Sequence, residues 1–573
     1  MTFAEIQTTL HPLILSLAAG TPLLMAALCC TPLKTRVIRL LPWATVPALF
    51  VALTAPSDVV VEVGWFFMGG RMGLDATGRI FLSLSGVVWL LASLSSRSLM
   101  NDDPDRARFH FFFLTAMAGN FGLILAQGML GYYLFFAMMS FAAYGLVVHR
   151  ENEESRSAGR LYIFLVMIGE VALFTAMIIL VYSSGSLALD EFTGVSFNPL
   201  ILGLLFVGFG VKVGALPLHG WMIPAYQSAP IPAAAALAGS MVNAGILGWL
   251  RFLPLGQITC PRGAVLFIIM GALAAVYGVI AGLTREQAGA VLGASSISQM
   301  GLITVIFGMG LFDQGTGLLA TPVLILYVVH HSLAKSSLFF AYDLTERQGS
   351  PLSYPQLAAI LLPALALAGL PFTSGAIAKT AFKELALSLG GFWSDLSVFF
   401  LPLTAMGTTI LMLHFIAVLR SSRGNNKPGR ATSRIIFVLS CIGVAVPLWL
   451  WPAAASFANH SMAGTKIIQG LWPVAGGCLL FFIWRRISLR IVLPVYEQRK
   501  KTGFDTIVCA VTDLLQEKEV QKPQQERLLS LLHRLIPHLR RAEKVMGRWK
   551  AVGLSYIALC LCLLFLLLWF SSP

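Results

Sequence analysis

Apolar runs long enough to cross a membrane dominate this sequence. A spanning helix needs about 20 mostly apolar residues, and sixteen runs approach that length, centred near residues 20, 45, 88, 117, 138, 172, 207, 242, 273, 300, 330, 370, 408, 442, 475 and 562. Hydrophobic residues make up 57% of the chain. Charged residues make up only 12%, whereas soluble domains carry about 25%. The sequence therefore predicts an all-α membrane protein and excludes a soluble enzyme.

Basic residues are distributed unevenly among the loops between these runs. Cytoplasmic loops of membrane proteins carry the excess of Lys and Arg. Loops after odd-numbered runs hold Lys34, Arg36, Arg39, Arg97, Arg106, Arg108, Arg150, Arg156, Arg160, Arg285, Arg347, Arg420, Arg423, Lys427, Arg430 and Arg434. Loops after even-numbered runs hold little beyond Arg71, Arg251, Arg262 and Lys466. We therefore expect a multi-pass protein of a bacterial inner membrane with both termini on the periplasmic side. The first run lacks a basic n-region, so we interpret it as a spanning helix and not a cleaved signal.

Glycine and proline interrupt two of the runs. The first break contains Pro217 and His219, and the second contains Gly369, Pro371 and Gly375. Proline lacks a backbone donor, and non-helical backbone at membrane depth needs protein or a watery cavity around it. The breaks fall in the seventh and twelfth runs, and paired breaks of this kind are typical of inverted-repeat transporters. The pattern predicts two inverted five-helix repeats, each with a broken helix.

These repeats divide the chain into five predicted parts. They are N-terminal transmembrane helices (1–105), a first inverted repeat (106–255), a second inverted repeat (256–421), C-terminal core helices (422–486), and a lateral arm with a final transmembrane helix (487–573). Leucines recur at roughly helical spacing in the charged arm, which indicates an amphipathic helix on the membrane surface or on neighbouring subunits. A plain solvated helix is the alternative.

Ionisable side chains inside the predicted spans are the candidates for function. Such a group costs roughly 2.5–3.5 kcal/mol on insertion scales, so it marks an ion pathway by default. Burial disfavours the charged form of an amine, and a histidine one turn from a lysine is suited to proton relay. We predict proton-translocation roles for Glu170, Lys212, His331, Lys335 and Lys379. The alternatives are lysines that reach the membrane interface, a histidine hydrogen-bonded across helices and a protonated structural carboxyl.

The sequence holds no pattern typical of a cofactor, metal or nucleic-acid site. Its eight cysteines include no Cys-x-x-Cys pair, so a zinc or iron–sulfur site is not expected. Phosphate-loop, zinc-pair and nucleophile-elbow motifs are absent from it. Its net charge of +14 resides in short loops and in the C-terminal arm, which fits anionic lipid headgroups better than nucleic acid. We expect no cofactor, and electron transfer, if coupled, would occur in partner subunits.

Several segments together resemble the antiporter-like subunits of respiratory complex I, Mrp-type cation/proton antiporters and membrane-bound energy-converting hydrogenases. In chain order they are Lys212–Trp221, Ala229–Pro232, Gly239–Met241 with Arg251, Ser295–Gly301, His331–Lys335 and Gly369–Gly375 with Lys379. They cover about residues 70 to 390. The resemblance implies fourteen core helices, and the largest members of the family add a surface helix and a sixteenth span. It also implies that Lys212 and Lys379 belong to the two broken helices and that His331 and Lys335 form a central relay.

Two positions depart from the family pattern. The fifth helix usually carries a glutamate where this chain has Ala137, and the eighth usually carries a lysine or histidine where it has Asn243. In the family, the glutamate at this position modulates the pKa of the lysine that matches Lys212. Glu170 would take this role in the present chain if it lies close to Lys212. The second repeat keeps its full set, so we expect it to be the more competent proton path.

The resemblance leaves three functions open. The leading one is a proton- or cation-translocating subunit of a redox-driven complex, such as a membrane-bound hydrogenase or a complex-I-like quinone reductase. Its partners would be other membrane subunits, a soluble redox module, lipid, and protons or Na⁺. The second is an ion-coupled transporter of Mrp or inorganic-carbon-uptake type with a separate partner. The third is a structural membrane subunit that has lost conduction, suggested by Ala137 and Asn243.

Overall fold

A computed structural model describes residues 3–56, 60–63, 70–189, 197–347, 353–421, 431–445, 454–462 and 464–488. From residue 489 onward, the predicted amphipathic arm and final span lie outside the described residues. The described helices are α1 (Phe3–Leu28), α2 (Lys34–Arg39), α3 (Val46–Thr54), α4 (Ala76–Leu99), α5 (Arg106–Leu125), α6 (Met129–Val147), α7 (Glu153–Ser184), α8 (Pro199–Val213), α9 (Met222–Ser228), α10 (Ile231–Ala236), α11 (Asn243–Phe252), α12 (Pro261–Leu283), α13 (Ala288–Met309), α14 (Gln314–Arg347), α15 (Tyr354–Ala368), α16 (Ser374–Ser388), α17 (Gly391–Ser421), α18 (Ala431–Ala445), α19 (Ala455–Ser461) and α20 (Gly464–Ser488).

Eleven helical segments of the described part are long and apolar enough to cross a membrane. They are Ala76–Leu99, Arg106–Leu125, Met129–Val147, Glu153–Ser184, Pro199–Ser228, Ile231–Phe252, Pro261–Leu283, Ala288–Met309, Gln314–Thr345, Gly391–Ser421 and Gly464–Arg486. Three shorter apolar helices are Ile14–Leu28, Leu41–Thr54 and Tyr354–Ala368. The prediction of an all-α, multi-span membrane protein is confirmed. The total of sixteen spans, the inverted repeats and the boundaries of the five parts stay predictions.

The helix around residue 45 is shorter than the span predicted there. It consists of a 3₁₀ turn, Leu41–Thr45, followed by α3. Pro42 and Pro47 each occupy one of the first positions of these two elements. Proline favours the start of a helix because it has no N–H to satisfy there. The helix therefore starts twice within this run, which leaves only a short continuous α-helical part.

A small β-ribbon that the sequence analysis did not predict lies between α3 and α4. Strands β1 (Val60–Val63) and β2 (Gly70–Gly73) pair antiparallel, with Val60 opposite Gly73. Gln127 continues the ribbon, because its backbone N–H donates to the Arg71 carbonyl at 2.9 Å. The run of valines from residue 59 to 63 was the available signal, since β-branched residues favour strands. The ribbon links the start of α4 to the connection between α5 and α6.

Helix α14 is the longest described helix and packs against α4, α10, α13, α15, α16 and α18. Its residues from 330 to 337 are all buried, although they include two histidines, three serines and a lysine. The three serine hydroxyls donate to carbonyls one turn back in the same helix, so their hydrogens need no acceptor from another helix. This arrangement brings ionisable side chains into the protein interior and away from lipid.

Helices α12 and α13 approach so closely that glycine is required at their contact. A Cβ atom added at Gly301 would lie 2.5 Å from the carbonyl oxygen of Gly271 and 2.6 Å from the backbone nitrogen of Ala275. Small residues let membrane helices approach closely and replace the hydrophobic driving force that lipid does not provide. This contact therefore sets the distance between the two helices.

We expect Gly301→Ala to lower the stability of the protein by about 1–3 kcal/mol, because the added methyl group forces the two backbones apart. Gly203→Ala is the matched control, since a Cβ atom at Gly203 in α8 would meet nothing within 4 Å. That control should be neutral or stabilising by up to about 1 kcal/mol, because alanine favours a helix over glycine. Thermal unfolding of both variants in detergent measures the difference, and equal unfolding temperatures would contradict the packing argument.

Candidate functional site

The first interrupted helix places Lys212 and Trp221 on either side of the break. Helix α8 ends at Val213, and the next residue, Gly214, adopts the left-handed conformation with φ of +74°. The chain resumes in a 3₁₀ turn, Leu218–Trp221, before α9. A broken helix leaves its last carbonyls short of intrahelical donors, and here the Val211 carbonyl accepts from the Gly214 N–H at 3.2 Å and from the Trp221 indole N–H at 2.7 Å. Of the predicted break residues, Pro217 is exposed and His219 is half-buried.

Lys212 lies in the last turn of α8 and is only 3% exposed. Its Nζ donates to the Tyr162 hydroxyl at 3.1 Å. It also lies 5.8 Å from the ring centroid of Phe136 and 5.5 Å from that of Tyr162, a range in which a cation is attracted to an aromatic face. The Tyr162 hydroxyl in turn donates to the Ser140 carbonyl at 2.9 Å. The amine is therefore held by a neutral phenol and two aromatic rings.

Glu170 lies on α7, 5% exposed, and within electrostatic range of Lys212. Its carboxylate lies beside the side chain of Ser140, and neither oxygen makes a hydrogen bond of good geometry to a described residue. Ala137, where the family usually has its glutamate, lies on α6 three residues before Ser140. The carboxylate near Lys212 therefore comes from the sixth predicted span, whereas the family usually has it in the fifth.

The second interrupted helix has a similar arrangement around Lys379. Helix α15 ends at Ala368, the following Gly369 has a φ of +89°, and α16 begins at Ser374. The half-buried Lys379 returns across the break and donates from Nζ to the Ala368 carbonyl at 2.6 Å. A Cβ atom at Gly369 would lie 2.6 Å from Cδ of Lys379, so the glycine makes room for the lysine. Pro371 and Gly375 are both buried at this break.

Between the two breaks, α14 carries His330, His331 and Lys335. Lys335 is 0% exposed, and its Nζ donates to the Leu292 carbonyl on α13 at 3.0 Å. His331 is equally buried, and neither ring nitrogen has a hydrogen-bond partner among the described residues. It interacts electrostatically with Lys335 one turn away. A buried polar group without a protein partner generally signals ordered water.

His330 is a residue that the sequence analysis did not select. Its Nδ1 lies 2.8 Å from the Ser374 hydroxyl, at the first residue of α16. It also interacts electrostatically with Lys379. Successive residues on a helix point about 100° apart, so the His330-His331 pair faces two directions at once. The doublet in an apolar run was the available signal, and it joins the α14 group to the second break.

Asn243 on α11 makes a side-chain contact with α14. Its amide nitrogen donates to the Ser332 hydroxyl at 2.7 Å and to the Gly239 carbonyl at 3.1 Å. The structure thus brings Lys212 and Glu170 together at the first break. It places His331 beside Lys335 on α14, and it links Lys379 at the second break to α14 through His330. Among the described residues, no group of three or more His, Cys, Asp or Glu side chains is suited to hold a metal ion.

A cavity of about 230 Å³ lies beside the first break. It is lined by His219, Gly220, Ile223, Pro224, Gln227, Tyr277 and Arg285. The His219 ring packs edge-on against Tyr277, with centroids 4.6 Å apart. Gly220 is exposed at this place. Non-helical backbone at membrane depth is tolerated where it lines such a cavity, and this one gives His219 an open polar neighbourhood.

Comparison with solved structures supports the fold. One neighbour is the Mrp complex from Dietzia sp., with a TM-score of 0.71 and 21% identity over 92% of this chain and 63% of that chain. Another is the membrane-bound sulfane sulfur reductase, an archaeal respiratory membrane complex, with a TM-score of 0.66 and 18% identity over 81% of this chain and 99% of that chain.

Three relatives illustrate the range of complexes to which this sequence is similar. Hydrogenase-4 component B of Escherichia coli is 27% identical over 331 residues, which is 53% of this chain and 49% of that protein. NAD(P)H-quinone oxidoreductase chain 4 of Picosynechococcus sp. is 25% identical over 67% of this chain and 76% of its own. A component of a probable K⁺/H⁺ antiporter of Rhizobium meliloti is 25% identical over 57% of this chain and 33% of its own. The chain thus spans about half the length of the first of these relatives.

The sequence model of one membrane-protein family matches residues 126–420, just over half of the chain. The match begins at the end of α5 and continues through α17. It therefore contains both breaks and every predicted proton-translocation residue. The chain belongs to the NADH:quinone oxidoreductase/Mrp antiporter transmembrane family.

Proposed function

We propose that this chain is a proton- or cation-translocating subunit of a multi-subunit membrane complex. The observation that carries the proposal is the kind of acceptor that its three membrane lysines bond. Lys212 donates to a phenol, Lys335 to a carbonyl in the second turn of α13, and Lys379 to a helix-end carbonyl. None of these acceptors carries a charge, so no hydrogen-bonded ion pair fixes the proton on the amine. An amine held this way can donate to the same neutral oxygen in its charged and in its neutral form, so it keeps its hydrogen bond when it loses a proton.

Arg251 provides the contrast within the same chain. Its guanidinium donates to the carbonyls of Leu123, Ile124 and Ala126 at 2.6–3.0 Å and lies 3.2 Å from an oxygen of Asp75. This arginine closes the end of α5, and its charge is permanently matched. A structural cation in this protein therefore has several donors engaged and a carboxylate within hydrogen-bond distance. The three lysines lack that pattern, which supports a mobile proton at each.

Complex formation is the second part of the proposal. The relatives are named as components of hydrogenase, quinone oxidoreductase and cation/proton antiporter systems, and the structural neighbours are multi-subunit membrane complexes. We propose that other membrane subunits cover part of this chain and that a soluble redox module drives it in a bacterial inner membrane. The coupling ion would be H⁺ or Na⁺. Mrp-type antiport without a redox module is the second candidate, favoured by the 92% coverage of this chain in the Mrp likeness.

Replacement of the break lysines tests translocation directly. We expect Lys212→Ala and Lys379→Ala each to reduce proton flux by about tenfold or more, since a positioned proton-transfer group typically contributes at least that much. Flux is followed with a pH-sensitive dye in membrane vesicles that contain the native complex. Lys383→Ala is the matched control, because Lys383 lies one turn after Lys379 and its Nζ donates to Gln469 in an exposed position. Unchanged flux in both break variants, with the complex assembled, would favour the structural subunit.

Removal of the Glu170 charge tests whether this carboxylate serves Lys212. We expect Glu170→Gln, which keeps the shape, to lower flux by about fivefold, because an opposite charge nearby favours the charged amine. Glu153→Gln is the control on the same helix, since Glu153 is exposed and paired with Arg160 at 3.1 Å. Equal flux in the two variants would remove Glu170 from the pathway. Combining Glu170→Gln with Lys212→Ala should add no further loss if the two side chains act together.

A further inference from the structure

Two buried tyrosines extend from Lys212 toward α13 and α14. Tyr162, on α7, accepts from Lys212 and is fully buried. Tyr226, on α9, lies near Tyr162, and both rings pack edge-on against Trp221, with centroids 5.1 and 6.0 Å away. The Tyr226 hydroxyl makes no hydrogen bond of good geometry to a described residue. A tyrosine hydroxyl both donates and accepts, so this one is free to do either.

Ser296 continues this series of hydroxyls as far as Lys335. The Tyr226 hydroxyl lies next to that of Ser296 on α13. The Ser296 hydroxyl donates to the Leu292 carbonyl at 3.0 Å, and Lys335 Nζ donates to the same oxygen at 3.0 Å. Ser296 and Lys335 therefore lie no farther apart than the combined length of two hydrogen bonds. The short helix after the first break delivers Tyr226 to this point, and every member of the series is buried.

Asn243 also contacts α14, but its side chain is less suited to pass a proton. Both hydrogens of its amide are engaged, one with Ser332 and one with the Gly239 carbonyl. The Ser332 hydroxyl donates to the Val328 carbonyl within its own helix. A primary amide neither gains nor loses a proton readily. Passing a proton through Asn243 would therefore require water to bypass the side chain.

We propose that the hydroxyls of Tyr162, Tyr226 and Ser296 relay protons between Lys212 and Lys335. This inference rests on the proposed translocation function and deepens it. A proton leaves the Lys212 ammonium for the Tyr162 oxygen as the Tyr162 hydroxyl releases its own toward Tyr226. The same exchange at Tyr226 and Ser296 delivers one proton to the neutral Lys335 amine. Each hydroxyl ends protonated and no electron moves.

Two hydroxyl rotations and one water molecule complete the relay. The Tyr162 hydroxyl donates to the Ser140 carbonyl in the resting structure, so it turns toward Tyr226 when a proton passes. The Ser296 hydroxyl likewise turns away from the Leu292 carbonyl, and one water molecule joins it to Lys335 across the distance of two hydrogen bonds. Hydroxyl rotation of this kind moves only a hydrogen atom and leaves the rings in place. The packed aromatic cluster around Trp221 is therefore compatible with transfer.

Tyr226→Phe in the full-length chain, within its native complex in membrane vesicles, tests the relay. We expect proton flux to fall by about tenfold, because one proton-transfer group is lost without a change of shape. The solvent deuterium isotope effect on flux should rise, since transfer across the gap becomes rate-limiting. Tyr132→Phe is the matched control and should keep its flux: Tyr132 is also fully buried, and its hydroxyl donates to the Ala244 carbonyl at 2.9 Å, away from the series.

The remaining variants separate the possible results. Ser296→Ala should also reduce flux, and it decides the question if Tyr226→Phe fails to assemble. Asn243→Ala should retain flux. Wild-type flux in Tyr226→Phe and Ser296→Ala, beside a loss in Lys212→Ala, would overturn the relay and leave the proposed function standing. Equal losses in Tyr226→Phe and Tyr132→Phe would also overturn it. No loss in any lysine variant would reject the proposed function together with the relay.

Discussion

Backbone carbonyls released where a membrane helix is interrupted must find donors within the protein, because lipid supplies none. This constraint organises both breaks. At the first, the Trp221 indole takes the Val211 carbonyl, and the lysine beside it is left to bond a phenol. At the second, Lys379 itself takes the Ala368 carbonyl. The breaks are therefore alike in backbone geometry but different in chemistry. A tryptophan indole donates to the helix-end carbonyl at the first break, and the ionisable lysine itself does so at the second.

The constraint also explains where polarity is concentrated. A single helix, α14, packs against α4, α10, α13, α15, α16 and α18. It directs His330 to the second break and Lys335 to α13, and it buries His331 beside Lys335. Its three serine hydroxyls donate to carbonyls within the helix. The ionisable side chains are therefore the ones that donate to or contact other helices. Charge is thereby kept off the lipid-facing surface, and the groups that exchange protons are those with the fewest fixed partners.

The breaks and the lysines were accessible to sequence analysis because their signals are local. Proline, glycine and a charged residue in an apolar run need no knowledge of the fold. Tyr162 and Tyr226 were not accessible, since a tyrosine in an apolar helix reads as ordinary core, and their meaning comes from contacts across tens of residues. Glu170 was selected as a carboxylate inside a span, but only the packing of α7 against α8 brings it near Lys212. The β-ribbon was missed because its strands are four residues each and adjoin strongly apolar helices.

That ribbon restricts how the first half of the protein can move. Its second strand bonds Gln127, and residues 127 and 129 bond in turn to residues 189 and 187, which follow α7. Arg251 fastens the end of α11 to the same corner. Main-chain hydrogen bonds and the Arg251 side chain thus hold one end of α4, α5, α6, α7 and α11 together. Sliding any of these helices along its axis would break these hydrogen bonds. Pivoting the opposite ends of the helices about this corner would keep them.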